Sequence, residues 1–188
     1  MRKYTFSENK ITALANDGNY IWMAFNGQDT ICTIYKNSIF NTALRYWEVH
    51  VDADTITKFY ISGNYVYGSL DHISNLGVQI HKDAPSIVNY FIRPVGLVEE
   101  AVDIVCDTTN AYFLIPGNAS GLNAKIIKFD KNTLAYIETI DLTTVTNAYN
   151  IDIDKNRLIW VVSKESPILL TKVYLVGETY EFASYPLS

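Results

Sequence analysis

The chain has 188 residues, 48% of them hydrophobic and 19% charged. A chain of this length and apolar content buries a core without disulfides or a structural metal, and it is not a disordered one. Fifteen Lys and Arg against 20 Asp and Glu leave a net charge of −5 with no basic cluster. That excludes nucleic acid and an anionic membrane surface as expected main partners, since both need a basic face.

Met1-Arg2-Lys3 begins like a signal peptide, but Tyr4 to Lys10 is not the apolar stretch that should follow. No apolar run approaches the ~18 residues of a membrane helix. The expected location is therefore the cytoplasm or a virus particle. Residues 1–10 read as an N-terminal strand or arm, with Tyr4 and Phe6 on one side of a short alternating run.

From residue 11 onward one unit recurs four times. Ile11 to Trp22, Ile56 to Tyr67, Asp103 to Phe113 and Asn150 to Trp160 share one wording. Each is a short apolar run, a turn of Asp, Gly, Asn or Lys, and an aromatic-rich apolar run, the signature of a β-hairpin. Taking Tyr20, Tyr65, Tyr112 and Leu158 as anchors, the spacings are 45, 47 and 46 residues. A third strand is expected at Thr30–Lys36, Gly77–Lys82, Ala124–Asp130 and Ile168–Leu175. A fourth is expected at Ala43–Val51, Ile87–Val95, Leu134–Leu142 and Tyr180–Leu187. No long segment carries the helical period, and no linker interrupts the chain.

Four strands per unit, a repeat of about 46 residues and four repeats predict an all-β fold, a β-propeller of four blades of four antiparallel strands. The predicted blades are approximately 11–54, 55–101, 102–148 and 149–188, in a single domain. A four-stranded sheet that is apolar on both faces buries them by stacking on its neighbours. A closed ring predicts a monomer. A ring left open exposes two terminal faces and predicts self-association, such as two half-rings forming a larger propeller.

Gly63-Asn64-Tyr65-Val66-Tyr67 and Asn123 to Leu134 resemble the blade wording of NHL-like and YVTN-like propellers. In those families a strand is followed by a polar loop and then by a strand ending in a Lys/Asp-rich turn. Blade count and length are similar to the four-bladed hemopexin-like domain. Cys32 and Cys106 fall mid-chain, where they cannot tie first blade to last. No function is carried over from that family, and both cysteines read as reduced and buried.

Few residues suggest chemistry. In His50-Val51-Asp52-Ala53-Asp54, alternate residues of an extended segment share a face, so His50, Asp52 and Asp54 are candidate ligands for a divalent cation. The competing reading is a solvated loop between blades. Asp71-His72 belongs to the loop between second and third strands of the second unit, with Asp29 and Glu165 in corresponding loops. In a propeller these loops gather at one end with the blade connections that carry Asp52, Asp54, Glu99 and Glu100. Such an acidic end suits a cation, a sugar or a basic partner, and paired carboxylates there suit glycoside chemistry. Asp103, Asp152 and Asp154 are read either as polar groups of a central channel or as turn caps, and His81 as structural. Nucleophile elbows, zinc-binding helices, phosphate loops and EF-hand runs are missing from the sequence. No catalytic residue, metal or cofactor is assigned.

The function expected on these grounds is a non-enzymatic scaffold or interaction module. Its partners would be other protein subunits, in a homo-oligomer or a larger assembly such as a phage or virus particle. The alternatives are a small-ligand or cation-binding propeller and a glycan-processing enzyme using loop carboxylates such as Asp71 or Glu99.

Overall fold

A computed structural model describes residues 10–28, 31–38, 46–52, 55–118, 121–164, 167–176 and 179–187. Sixteen strands and no helix occur among them. They form four sheets of four strands, each an antiparallel meander in chain order. The first sheet holds β1 (Ile11–Asn16), β2 (Tyr20–Gln28), β3 (Ile31–Ser38) and β4 (Tyr46–Asp52). The second holds β5 (Thr55–Ser62), β6 (Tyr65–Asp71), β7 (Asn75–His81) and β8 (Ala84–Ile92). The third holds β9 (Asp103–Cys106), β10 (Asn110–Ile115), β11 (Ala124–Asp130) and β12 (Tyr136–Leu142). The fourth holds β13 (Ala148–Ile153), β14 (Ile159–Ser163), β15 (Ile168–Val176) and β16 (Thr179–Leu187).

The sheets stack face to face as propeller blades. First strands pack in succession, β1 on β5, β5 on β9 and β9 on β13, which puts them at the inner edge. Among the described residues no strand of the fourth sheet packs on the first in this way. Among the described residues the four blades therefore form an open arc.

Three apolar layers fill the three junctions. Ala13, Trp22, Ala24 and Ile34 meet Ile56, Phe59, Val66 and Leu70 between the first and second blades. Tyr67 and Phe91 meet Ile104, Phe113, Ile127 and Phe129 between the second and third. Tyr112, Leu114, Ile126 and Ile140 meet Ile151, Ile159, Val161 and Val173 between the third and fourth. Alternation along each strand sends successive residues to the two junctions flanking a blade. This is why β6, β7 and β10 read as continuous apolar runs and are buried almost throughout.

The inner strands carry a device that the sequence did not advertise. Pairing slips between Ile11 and Ala13, Ile56 and Lys58, and Ala148 and Asn150. Each slip is a β-bulge, which adds twist where strands converge. The extra residues are Thr12, Thr57 and Tyr149. Thr57 turns its bulge to use: its hydroxyl lies 2.8 Å from Ser69 Oγ and donates to the Ala101 carbonyl at 3.0 Å, in the connection leading to the third blade.

Several expected boundaries move. β8 spans 84–92 rather than 87–95, because the tight turn at Lys82 and Asp83 pairs Ala84 directly with His81, and Pro94 and Gly96 begin the crossover. β12 starts at Tyr136, since Leu134 sits in a turn at φ 62°. The third-blade equivalent of Tyr20 is Asn110, not Tyr112. Asp107 and Asn110 close the hairpin by the same backbone bond, 3.0 Å, that joins Asp17 to Tyr20 at 3.1 Å. The fourth blade begins at Ala148. Tyr4 and Phe6 lie outside the described residues.

Candidate functional site

Three of the four first hairpins are closed by an aspartate that also pins an aromatic ring. Asp17 Oδ1 accepts the amides of Asn19 and Tyr20, and its Oδ2 accepts the Trp22 indole N–H at 3.1 Å. Asp107 accepts the amides of Thr109 and Asn110 and the Tyr112 hydroxyl at 2.9 Å. Asp154 accepts the amides of Asn156 and Leu158 and the Trp160 indole at 3.2 Å. Burial pushes the Asp17 and Asp107 carboxyls up, but the donated hydrogen bonds outweigh it and hold both below the usual range. Asp154 is held low chiefly by the Leu158 amide. The aspartates thus serve as turn caps that orient rings. An Asp followed five or six residues later by an aromatic is the signal in the sequence that would have revealed it.

Asp103 does something else. It is 1% exposed at the start of β9. Its Oδ2 accepts Asn150 Nδ2 at 2.7 Å and the Ile151 amide at 3.1 Å, both on β13, and its Oδ1 accepts the Ile104 amide. Lys58 on β5 lies 3.9 Å away. Burial raises the Asp103 carboxyl above the usual range against all of these contacts. One carboxylate therefore links the inner strands of three blades. It is neither a solvated channel group nor a turn cap.

The loops between second and third strands do gather at one end with the blade connections. The Arg93 amide bonds the Ser74 carbonyl, Ala148 bonds Pro116, and Lys164 bonds Asn147. At this end the Arg93 guanidinium donates to the carbonyls of both His72 and Glu99, tying two loops together. His72 Nδ1 accepts the amides of Ser74 and Asn75, so its ring caps a turn. Glu99 pairs with Lys125 at 3.5 Å. Burial pushes the Glu99 carboxyl up, but hydrogen bonds and Lys125 hold it below the usual range. Asp71 ends β6, half-buried. Ile73, Val95 and Val98 stand fully exposed around these loops. Next to them a cleft of about 720 Å³ lies between the second and third blades, lined by Arg93, Leu97, Lys125, Phe129, Tyr136 and Asp141.

Of the other expected site residues, Asp29, Asp54 and Glu165 lie outside the described residues. His50 and Asp52 lie in β4, the outermost strand of the first blade, flanking the buried Val51. The loop reading of those two is thereby corrected: β3 pairs with β4 as far as Asp52. Among the described residues no three His, Cys, Asp or Glu side chains converge to hold a metal ion. Cys106 is free and buried, which pushes its thiol up. His81 Nδ1 caps the turn at Asp83 while its ring packs edge-on to Tyr65 at 5.1 Å.

The terminal blades differ from the inner ones. On the first, Ile11 and Leu14 are exposed. On the fourth, Ile168, Tyr185 and Leu187 are exposed, and Trp160, Val162 and Leu170 on the same face are only partly buried.

No family model matches the chain, and no curated protein matches its sequence. Solved structures do match in shape. The chain superposes on hydrazine synthase from Kuenenia stuttgartiensis with a TM-score of 0.73 at 14% identity, over 95% of this chain and 54% of that one. It also matches a putative hydrolase from Bacteroides ovatus, with a TM-score of 0.47 at 8% identity, over 90% of this chain and 55% of that one. The first likeness is one of fold. The chain spans about half the length of each of these two structures.

Proposed function

We propose that this protein is a non-enzymatic interaction module, a rigid arc of propeller blades whose partners are protein subunits docking on its terminal blade faces. The observation that carries this reading is the contrast in burial. The faces that meet at the three junctions are buried, while Ile11 and Leu14 on the first blade and Ile168, Tyr185 and Leu187 on the fourth stand in water. Soluble proteins rarely leave such patches without a use. The acidic side chains favour the same reading. Asp17, Asp107 and Asp154 are committed to turns, Asp103 to an inter-blade link and Glu99 to Lys125. The blade wording shared with NHL-like and YVTN-like propellers fits a scaffold, because such folds host function on variable surfaces.

The test is native mass spectrometry of the protein from its natural source, before and after a chelator. The expected result is an assembly of fixed composition that the chelator leaves intact and that Leu14→Lys abolishes. A lone chain of 21.3 kDa carrying a metal or small molecule would sink the reading. A second reading, small-ligand binding, is favoured by the cleft beside Arg93 and Lys125, whose 720 Å³ is the size of a ligand site.

A further inference from the structure

We infer that the partner on these faces is a second copy of this chain, two arcs closing head to tail into one ring. This rests on the interaction-module reading and names its partner. The blade junction is built alike three times. On the face toward the next blade, the aromatic that follows the first hairpin fills the junction: Trp22, Tyr67 and Tyr112 are 0%, 0% and 7% exposed. On the face toward the preceding blade stands the residue just before its cross-strand partner: Phe59, Ile104 and Ile151 are 5%, 1% and 2% exposed. Strand register makes these positions equivalent, with Phe59 opposite Gly68, Ile104 opposite Phe113 and Ile151 opposite Val161.

The two ends of the arc carry the two halves of this junction, and among the described residues no blade packs on either. In the fourth blade Trp160 holds the aromatic position, opposite Asp152, pinned by Asp154 as Trp22 is by Asp17. It is partly exposed, and among the described residues no blade packs on it. In the first blade Leu14, opposite Met23, holds the position of Phe59, Ile104 and Ile151, yet it is 62% exposed. The polar part of the junction repeats as well. Opposite the aromatic on the third strand are Gln79, Lys128 and Lys172. Gln79 Nε2 reaches the Lys131 carbonyl of the next blade at 2.8 Å, and Lys128 Nζ reaches the Tyr180 hydroxyl at 3.3 Å. Lys172 has the same place, and among the described residues no blade packs on its face.

A second copy supplies the missing halves, its first blade against this fourth blade and its fourth against this first. The contact is head to tail, so it makes a ring when the rotation closes and a filament when it does not. Propellers usually have about 4–8 blades, so two four-bladed copies reach that range and three exceed it.

The purified wild-type chain is examined by native mass spectrometry and light scattering. The expected mass is twice 21.3 kDa. Leu14→Lys and Val162→Lys should each yield single chains with unchanged far-UV circular dichroism, weakening association by roughly thirtyfold or more, the size of a hot-spot loss. Mixing the two variants should restore a two-copy species, because each keeps the half that the other lacks. Tyr185→Lys replaces Val162→Lys should the latter fail to fold. Ile73→Lys, on the exposed loop end, should leave the pair intact. A wild-type chain that stays single, a pair that survives both face variants, or a ladder of higher oligomers would overturn the two-copy ring. A single purified chain alongside an intact natural assembly that Leu14→Lys abolishes would overturn only the second copy as partner. Loss of both would overturn the interaction reading too.

Discussion

Between the second and third blades, Phe91, Phe113 and Phe129 meet edge to face with centroids 5.0, 5.3 and 5.6 Å apart. Between the third and fourth, the filling is mostly aliphatic and polar groups reach across. There Asp103 holds β13, and Lys128, Glu138 and Tyr180 form a closed set, with Lys128 Nζ 2.7 Å and the Tyr180 hydroxyl 2.8 Å from Glu138 Oε1. Equivalent places in one repeat thus rest mainly on aromatic packing in one case, beside the Gln79 bond to Lys131, and mainly on polar links in the other. Close aromatic packing leaves no slack for added volume. A polar link tolerates volume better, but it depends on protonation and on every partner being present.

The comparison breaks most sharply at Gly77. A Cβ there would lie 2.2 Å from Phe113 Cε1 and 2.7 Å from the Gly68 carbonyl, and the Phe113 ring is fully buried. Gly77→Ala should cost about 3 kcal/mol through overpacking, read as a fall in the urea midpoint. Asp103→Ala should cost about 2–3 kcal/mol by leaving the Ile151 amide and Asn150 unpaired in a buried site, and Asp103→Asn should cost less.

A pH series sharpens the same contrast. The folded Asp103 carboxyl is raised, so folding takes up a proton there, and its contribution to stability is lost as pH rises through the window above the usual aspartate range. For Glu138, burial pushes the carboxyl up, but hydrogen bonds from Lys128 and Tyr180 hold it below the usual range. Its contribution is present at neutral pH and lost as pH falls below about 4.5 toward the folded value. The two oppose each other on the acid side. Asp103→Asn should therefore lose stability more steeply than wild type on acidification, and equal slopes would refute the assignment. The smallest effect is expected from Tyr180→Phe, which removes the shared hydroxyl of the Lys128–Glu138 set. It should cost about 1 kcal/mol or less in thermal melting.

Much of the fold was legible because blades are local objects. A meander is built from neighbours in sequence, so a short apolar run, a turn and an aromatic run declare a hairpin wherever they occur. Anchoring on aromatic identity misplaced the third repeat, since Tyr112 fills the role of Trp22 rather than of Tyr20. The functional residues were less legible. His72 and Glu99 lie in loops that Arg93 ties together at one end of the blades, with Asp71 closing the strand beside them, and the sequence does not show this company. Arg93, which joins their loops through backbone carbonyls, carries no sequence mark, since any carbonyl accepts such a bond. Asp103 resembled its solvated neighbours because burial belongs to the blade stacked upon it, not to the strand that carries it.

The amino-acid sequence by itself determined the blade: its four strands, its turns, its aromatic positions and the fourfold repetition. Those follow from hydrogen bonding and side-chain alternation over a few residues. Only the tertiary structure decided which blade faces meet, which aspartate is buried and which aromatic is left partly in water. Identical wording in Trp22 and Trp160 ends in full burial at one and partial exposure at the other, because the second blade packs on Trp22 while among the described residues no blade packs on Trp160.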